Sequence, residues 1–203
     1  MDEKLKSAFE IAMEKVAKLG NLSPQEELEL KWVPEGERLA ARYLRGEGDL
    51  AGSLATVDRS ATRHVLNGAL SVLLPRLGIP RNEAAASDNR RVMDGLKSLC
   101  KDGKAFGEIA GRVKYVEEQY LGYGRKLMEQ TYQELKQTVT SQVQSQIRKQ
   151  GVRVATNFDI ESMPEFQAQW RAAVARQERH YEQNLDELRK QLRELILAKP
   201  VVR

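Results

Sequence analysis

Residues 104–150 read KAFGEIAGRVKYVEEQYLGYGRKLMEQTYQELKQTVTSQVQSQIRKQ. Apolar side chains recur in the first half of this stretch at spacings of three and four residues, at Phe106, Ile109, Val113, Val116, Tyr120, Tyr123 and Leu127. This spacing places them on one face of an α-helix and is typical of a heptad seam. The stretch therefore predicts one long helix from Lys104 to about Gln150.

The apolar seam shifts after Leu127 and continues at Met128, Tyr132, Leu135, Val139, Val143 and Ile147. Such a shift is a stutter, which locally unwinds a coiled coil. Gly122 and Gly124 lie just before the shift, and a glycine inside a helix costs about 1 kcal/mol relative to alanine. We therefore expect a kink or a break in the long helix at Gly122–Gly124.

A second long helix is predicted over residues 163–197, because Ser162 can cap it and Pro164 fits its first turn. Its apolar seam runs through Phe166, Trp170, Val174, Gln177, Tyr181, Leu185, Leu188, Leu192 and Leu195. Matching seams and a short connector predict an antiparallel helical hairpin over residues 103–198. At 1.5 Å per residue its first helix is about 70 Å long, so part of it projects or pairs with another chain. Residues 199–203 are predicted to be a frayed tail.

The N-terminal part, residues 1–102, is predicted to be a compact multi-helix domain. Helices are expected over residues 2–19, from Pro24 to near Trp32, over 35–45, over 58–77, and from Asn82 or Ser87 to Cys100. The end near Trp32 is expected because Pro34 disfavours helical geometry in the residue before it. The predicted fold class is all-α, a small N-terminal helical domain plus a long antiparallel hairpin with coiled-coil character.

The composition indicates helices that expose much of their circumference. Of 203 residues, 31% are charged and only 6% are aromatic. A single cysteine, Cys100, excludes an internal disulfide and a multi-cysteine zinc site. The charged N-terminus is not a signal peptide, and the longest uncharged stretch, His64–Pro75, is shorter than the roughly 20 apolar residues of a membrane span. These features predict a cytoplasmic protein with no membrane partner.

The sequence contains no residue pattern typical of catalysis. His64 and His180 are the only histidines, and the glutamates that a helical di-metal site needs three residues earlier are replaced by Ala61 and Gln177. Cys100 is expected to be a small buried apolar residue. We therefore infer no catalytic residue, no metal site, no cofactor and no small-molecule substrate, and predict that the chain is not an enzyme.

Gly107 and Gly111 have the small-xxx-small spacing that allows close helix packing. We expect the long helix to cross the N-terminal domain at this pair.

Two functions remain open at this stage, and the first is a helical interaction or scaffold protein that associates through its long helices with a protein partner or with a second copy as a homodimer. The predicted interface residues are Met128, Tyr132, Leu135, Val139, Val143, Ile147, Leu188 and Leu192. The glutamine-rich stretch Gln133–Gln150 favours this hypothesis, because low charge is typical of interface cores.

The second hypothesis is a nucleic-acid-associated helical protein. The net charge is +4 and the sequence pI is about 9.1. Of the 33 basic and 29 acidic residues, 15 of each lie in residues 1–100, so the positive surplus falls in the C-terminal half. The predicted phosphate-binding residues are Arg112, Lys114, Arg125, Lys126, Arg148, Lys149 and Arg153. Acidic residues are interleaved with most of them, which ranks this hypothesis second.

Overall fold

The computed structural model describes residues 23–150, 159–198 and 200–201. Within these ranges the chain is helical and contains no β-strand, which confirms the all-α prediction. The α-helices are Pro24–Leu44 (α1), Leu50–Ala55 (α2), Arg59–Leu73 (α3), Glu83–Leu99 (α4), Gly103–Gln119 (α5), Arg125–Gln150 (α6) and Pro164–Ala198 (α7). None of the described helices is both long enough and apolar enough to cross a membrane. The predicted first helix, residues 2–19, and connector residues 151–158 lie outside the described residues.

Local sequence signals set the start of several helices. Ser23 accepts a hydrogen bond from the backbone of Glu26, whose carboxylate accepts one from the backbone of Ser23, so the predicted capping box is present. Asn82 caps α4 and Asp102 caps α5 through their side-chain oxygens. These caps satisfy backbone N–H groups that have no partner within the helix, which places the helix starts within a residue or two of prediction.

The predicted helix end near Trp32 is wrong, because α1 continues unbroken past Pro34. A proline inside a helix removes one hydrogen bond and costs about 3 kcal/mol or more. Pro34 lies on the exposed side of α1, where water can reach the carbonyl group that loses its partner. Packing of the opposite side against α3 offsets the remaining cost.

That packing is a close crossing of α1 and α3 through two glycines. A Cβ atom added at Gly36 would overlap the Val65 carbonyl group, and one added at Gly68 would overlap the Val33 carbonyl group. The two helix backbones therefore lie in direct contact, which only residues without a side chain allow.

The main hydrophobic core lies around α3, whose side chains Val65, Leu66, Leu70 and Leu73 are almost fully buried. It extends into both long helices, through Phe106, Val113, Tyr120, Leu185, Leu188, Leu192 and Ile196. The base of the hairpin thus shares one core with the N-terminal helices. The domain boundary at residue 102 stays a prediction.

A π-helical turn, Tyr120–Gly124, connects α5 to α6 without a break in the helical path. A π-turn holds one more residue than an α-turn, so it moves every later side chain by one position. Tyr120 and Gly124 face inward, whereas Tyr123, which the predicted seam includes, is 63% exposed. The predicted stutter is therefore present as a π-turn, and the seam continues through Met128.

A second hydrophobic cluster closes the distal part of the hairpin. Val139, Ile160 and Phe166 are buried there, and Tyr132 packs edge-to-face on Phe166 and Trp170 at ring distances of 5.5 and 5.1 Å. The contact between α6 and α7 is thus made within one chain.

The predicted frayed tail needs a correction at residues 200–201. Pro200 forms an isolated antiparallel bridge with Cys100, and the N–H group of Val201 donates to the Leu99 carbonyl at 3.1 Å. The carbonyl groups at the end of α4 have no partner within their own helix, so an extended segment beside them supplies one.

Candidate interaction surface

The outward-facing side of α5 and the π-turn combines small and aromatic residues. This outer face consists of Gly107, Gly111, Tyr115, Gly122 and Tyr123, all of them exposed. Tyr115 and Tyr123 keep 62% and 63% of their surface accessible. Of the four large hydrophobic side chains that are exposed in the described part of the chain, three lie between residues 115 and 123. Exposed aromatic residues grouped in this way are typical of a protein-binding surface.

The predicted tight crossing of Gly107 and Gly111 with the N-terminal domain is not found among the described residues 23–102. A Cβ atom added at Gly107, Gly111 or Gly122 would meet no described atom within 4 Å. Each glycine weakens the helix by about 1 kcal/mol relative to alanine, and packing against the described residues does not explain any of them. Their effect is a helix surface without side chains at three positions beside the two exposed tyrosines, on which the exposed Glu118 side chain also lies.

The predicted interface residues lie mainly inside the hairpin. Leu188 and Leu192 are buried in the main core and Val139 in the distal cluster, so these three side chains are closed to a partner in this structure. The remaining five are half-buried: Met128 packs against the main core, Tyr132, Leu135 and Val143 pack against the distal cluster, and Ile147 lies further along α6. Sequence periodicity identifies an apolar face, but it does not distinguish a partner in another chain from one in the same chain.

An irregular loop, residues 77–82, ties the hairpin to the N-terminal core at a polar junction. Asn89 accepts from the Gly78 N–H group at 3.0 Å and donates to its carbonyl group at 2.7 Å. Arg189 donates to the Leu77 carbonyl at 2.9 Å. These bonds satisfy backbone groups of the loop that have no helical partner.

The centre of the junction is an ion pair between Arg81 and Glu178. Arg81 Nε and Nη2 donate to the two Glu178 carboxylate oxygens at 2.8 and 2.6 Å, and the Tyr120 hydroxyl donates to Oε1 at 3.1 Å. Beside it, Gln177 Nε2 donates to the Gly124 carbonyl at 2.6 Å, which holds the π-turn against α7. The junction therefore fixes how the hairpin leaves the core and how the outer face is presented.

The electrostatic environments of two junction carboxylates differ. Hydrogen bonds from Arg81 lower the pKa of Glu178, although its burial acts in the opposite direction. Burial raises the pKa of Glu117, and the hydrogen bond from Asn89 offsets part of that effect. Arg81 thus favours the ionised form of the first carboxylate, whereas burial disfavours the ionised form of the second.

Comparison with known proteins identifies a family that contains this chain. A family model described as "Family of unknown function (DUF6657)" matches residues 51–194. The chain belongs to this family. The DUF6657 stretch contains the complete outer face and the junction between loop 77–82 and the hairpin. Searches of curated proteins and of solved structures gave no match.

Within the DUF6657 stretch, the predicted phosphate-binding residues are spread along the hairpin. Arg112 Nη1 donates to Gln191 at 2.7 Å, Lys114 lies 3.6 Å from the carboxylate of Glu118, and Arg125 donates to loop carbonyls. Three of these predicted residues are thus occupied by neighbours in the same chain.

The other predicted basic residues lie elsewhere. Lys126 is exposed near the π-turn, and Arg148 and Lys149 are exposed near the end of α6. Thirty-six helical residues separate Arg112 from Arg148, which is about 50 Å. Arg153 lies outside the described residues.

Sequence reasoning missed a basic strip on the outward side of α7. Arg171, Arg176 and Arg179 are exposed there, and none has an ion-pair partner within the ranges that the structure describes. The exposed alanines Ala168, Ala172 and Ala175 lie between them. A helical-wheel projection of residues 164–183 would have found the strip, whereas a search for adjacent basic pairs does not.

The isolated histidines and the cysteine do not combine into a site. His64 is buried, with no hydrogen-bond partner for Nδ1 in the described part of the chain. His180 is exposed and lies 3.4 Å from Asn184. Cys100 is buried, as its place on the apolar face of α4 predicts. Among the described residues no three histidine, cysteine or acidic side chains are grouped so that they could hold a metal ion.

Proposed function

We propose that this chain is a non-enzymatic, cytoplasmic scaffold protein that associates through its long, coiled-coil-like hairpin with a protein partner or a second copy. The exposed pair Tyr115 and Tyr123 is the observation that carries the proposal. Two large aromatic side chains exposed beside a glycine strip are withdrawn from water at little conformational cost when another helix packs there. The proposed surface is therefore the outer face, and not the seam between α6 and α7.

The junction supports a scaffold role. Loop 77–82 is held by side chains from α4, α6 and α7, so the outer face has a fixed orientation relative to the core. A preformed surface loses less entropy on binding than a flexible one does.

Replacing both Tyr115 and Tyr123 with serine is expected to weaken association at least tenfold, about 1.4 kcal/mol, because aromatic anchors dominate interface energies. The fold should stay intact, since substitutions at exposed positions usually change stability by no more than about 0.5 kcal/mol. Sedimentation equilibrium of the full chain measures self-association. Capture from a nuclease-treated lysate measures binding to a different protein.

The matched control is Leu30→Ser on α1, which also removes an exposed large hydrophobic side chain, 58% accessible, but outside the outer face. It should associate like the wild type. Equal association of the tyrosine variant and the wild type would contradict the proposal.

The alternative function is binding to nucleic acid through phosphate contacts, and the basic strip on α7 favours it. Arg171, Arg176 and Arg179 are closer together than the predicted basic residues and have free guanidinium groups in the described structure. Two nearby carboxylates are engaged elsewhere, since Glu178 is buried and paired with Arg81 and Glu182 is paired with Arg189.

Replacing these three arginines with glutamine should weaken binding to duplex DNA at low salt. It should also reduce the slope of log K against log salt by roughly 0.9 for each phosphate that the variant no longer neutralises. Exposed Arg59 and Arg63, at the start of α3, are the matched control pair for the same substitution. Fluorescence anisotropy over a salt series measures both quantities, and a wild-type protein that does not bind at low salt would exclude this alternative.

A further inference from the structure

We infer that a cavity beside the π-turn binds a small aromatic carboxylate. The cavity has a volume of about 400 Å³ and lies between loop 77–82, the start of α6 and α7, with Arg81, Arg125, Tyr132 and Trp170 in its wall. Cavities that hold small ligands usually measure roughly 300–1,000 Å³. It contains no residue of the outer face, so this inference goes beyond the proposed scaffold function and is independent of it.

Two guanidinium groups in the wall are fixed before any ligand arrives. Arg81 is held by its two hydrogen bonds to Glu178, and Arg125 Nη2 donates to the Arg81 carbonyl at 3.0 Å. An arginine has five N–H donors, so each keeps several that no acceptor in the described part of the chain takes. Prepositioned N–H groups of this kind bind carboxylates with strong, charge-assisted hydrogen bonds.

The opposite part of the wall is aromatic and apolar. Tyr132 and Trp170 are half-buried and stand edge-to-face at 5.1 Å, and Met128 lies beside them. Their rings are inclined at 77° to each other, and both residues line the cavity. A planar ring packs well on such a wall, because aromatic pairs and sulfur–aromatic contacts both add to apolar burial.

The cavity has no net charge, so its fixed N–H donors, and not an excess of positive charge, favour a monoanion. Glu178 neutralises Arg81, and the carboxylate of Glu129, which also lines the cavity, balances the positive charge of Arg125. A second negative charge on the ligand would be repelled by Glu129. A carboxylate therefore fits the cavity better than a phosphate monoester, which carries nearly two charges at neutral pH.

Calorimetric titration of the full-length protein with three probes that share one ring tests this inference. Phenylacetate carries the carboxylate, phenylacetamide is its neutral analogue, and phenyl phosphate is the dianion. Phenylacetate should bind with a dissociation constant of about 1 mM or lower, and phenylacetamide about tenfold more weakly. Phenyl phosphate should bind no more tightly than phenylacetate does.

A variant that gains affinity distinguishes an effect at the binding site from the effect of a folding defect, which only weakens binding. Glu129→Gln removes the repulsion between this carboxylate and an anionic ligand and should strengthen binding about threefold for phenylacetate, and more for phenyl phosphate. Glu134→Gln, the same change on the exposed side of α6 away from the cavity, should alter neither affinity. Trp170→Leu removes the aromatic wall and should weaken binding of phenylacetate about tenfold.

Two results would overturn the inference. One is equal affinity for phenylacetate and phenylacetamide, including no measurable binding of either, because the guanidinium groups would then select no anion. The other is a Glu129→Gln variant whose affinities match those of the wild type and of Glu134→Gln, because bound probe would then lie elsewhere.

Discussion

Replacing Gly36 or Gly68 with alanine is expected to lower the free energy of unfolding by about 3 kcal/mol, at the upper end of overpacking effects. At either position the new Cβ atom would overlap a backbone carbonyl of the facing helix, at Val65 or Val33. A flexible side chain can move away, but a carbonyl within a helix moves only with its whole helix. Denaturant unfolding followed by circular dichroism measures the change, which corresponds to a melting temperature roughly 6–12 °C lower.

The matched control is the same substitution at Gly107 or Gly111, where an added Cβ atom meets no described atom within 4 Å. Alanine there should raise the free energy of unfolding by about 0.5–1 kcal/mol, because it favours the helical state. The two glycine pairs should thus respond with opposite signs. Similar effects at both pairs would show that α1 and α3 do not cross through Gly36 and Gly68.

These two glycine pairs mark a limit of prediction from this sequence. Gly107 and Gly111 have a spacing that suggests close packing, yet they are exposed, whereas Gly36 and Gly68 are 32 positions apart and meet in space. A glycine in a helical pattern indicates only that a side chain is missing. Which helix approaches it depends on the tertiary arrangement, and local pattern does not contain that information.

Features that depend on neighbouring residues were predictable. The seam of α7, the capping box at Ser23 and the start of α4 at Asn82 depend on contacts three or four residues apart. The displaced seam after Leu127 was visible too. The sequence did not show whether the helix breaks there or forms a π-turn, because both displace the later side chains in the same way. The hydrogen bond from Gln177 to the Gly124 carbonyl is made to the π-turn, so it was not predictable either.

The junction left no local signal in the sequence. Arg81 and Glu178 are 97 residues apart, and each is one of many charged residues on a helical or loop surface. At Pro34 the sequence contains a local signal for a helix end that the structure does not have. The preference of proline for a helix end is weaker than the packing of α1 on α3. The sequence therefore placed the candidate site on the long helices. It did not predict that the site lies on their outward side, nor that the junction with loop 77–82 anchors it.

Replacing Arg81 with alanine is expected to lower the free energy of unfolding by about 2 kcal/mol near neutral pH. The variant leaves the Glu178 carboxylate, 7% exposed, with the Tyr120 hydroxyl as its remaining hydrogen-bond donor. Breaking a fully buried ion pair costs about 3–5 kcal/mol, and the value here is smaller because the Arg81 side chain is 60% exposed.

Glu178→Gln is the partner variant and should cost only about 1 kcal/mol, because the arginine left alone is largely solvated. The double variant should resemble Glu178→Gln, which gives a coupling energy of roughly 1–2 kcal/mol in a double-mutant cycle. Additive effects of the two substitutions would mean that the pair does not interact in solution.

The dependence on pH distinguishes loss of this ion pair from a general packing defect. The pKa of Glu178 lies below its ordinary value of 4.5 in the folded protein because Arg81 donates to it. A lowered folded-state pKa contributes stability that is complete above the unfolded value and is lost as pH falls through the folded one. Without Arg81 the main cause of the lowering is gone, so the deficit of Arg81→Ala should shrink as pH falls below 4.5. A deficit that stays constant through that range would assign the effect of Arg81 to packing of its aliphatic stem. The junction would then be held by the hydrogen bonds of Asn89, Arg125 and Arg189 to loop 77–82.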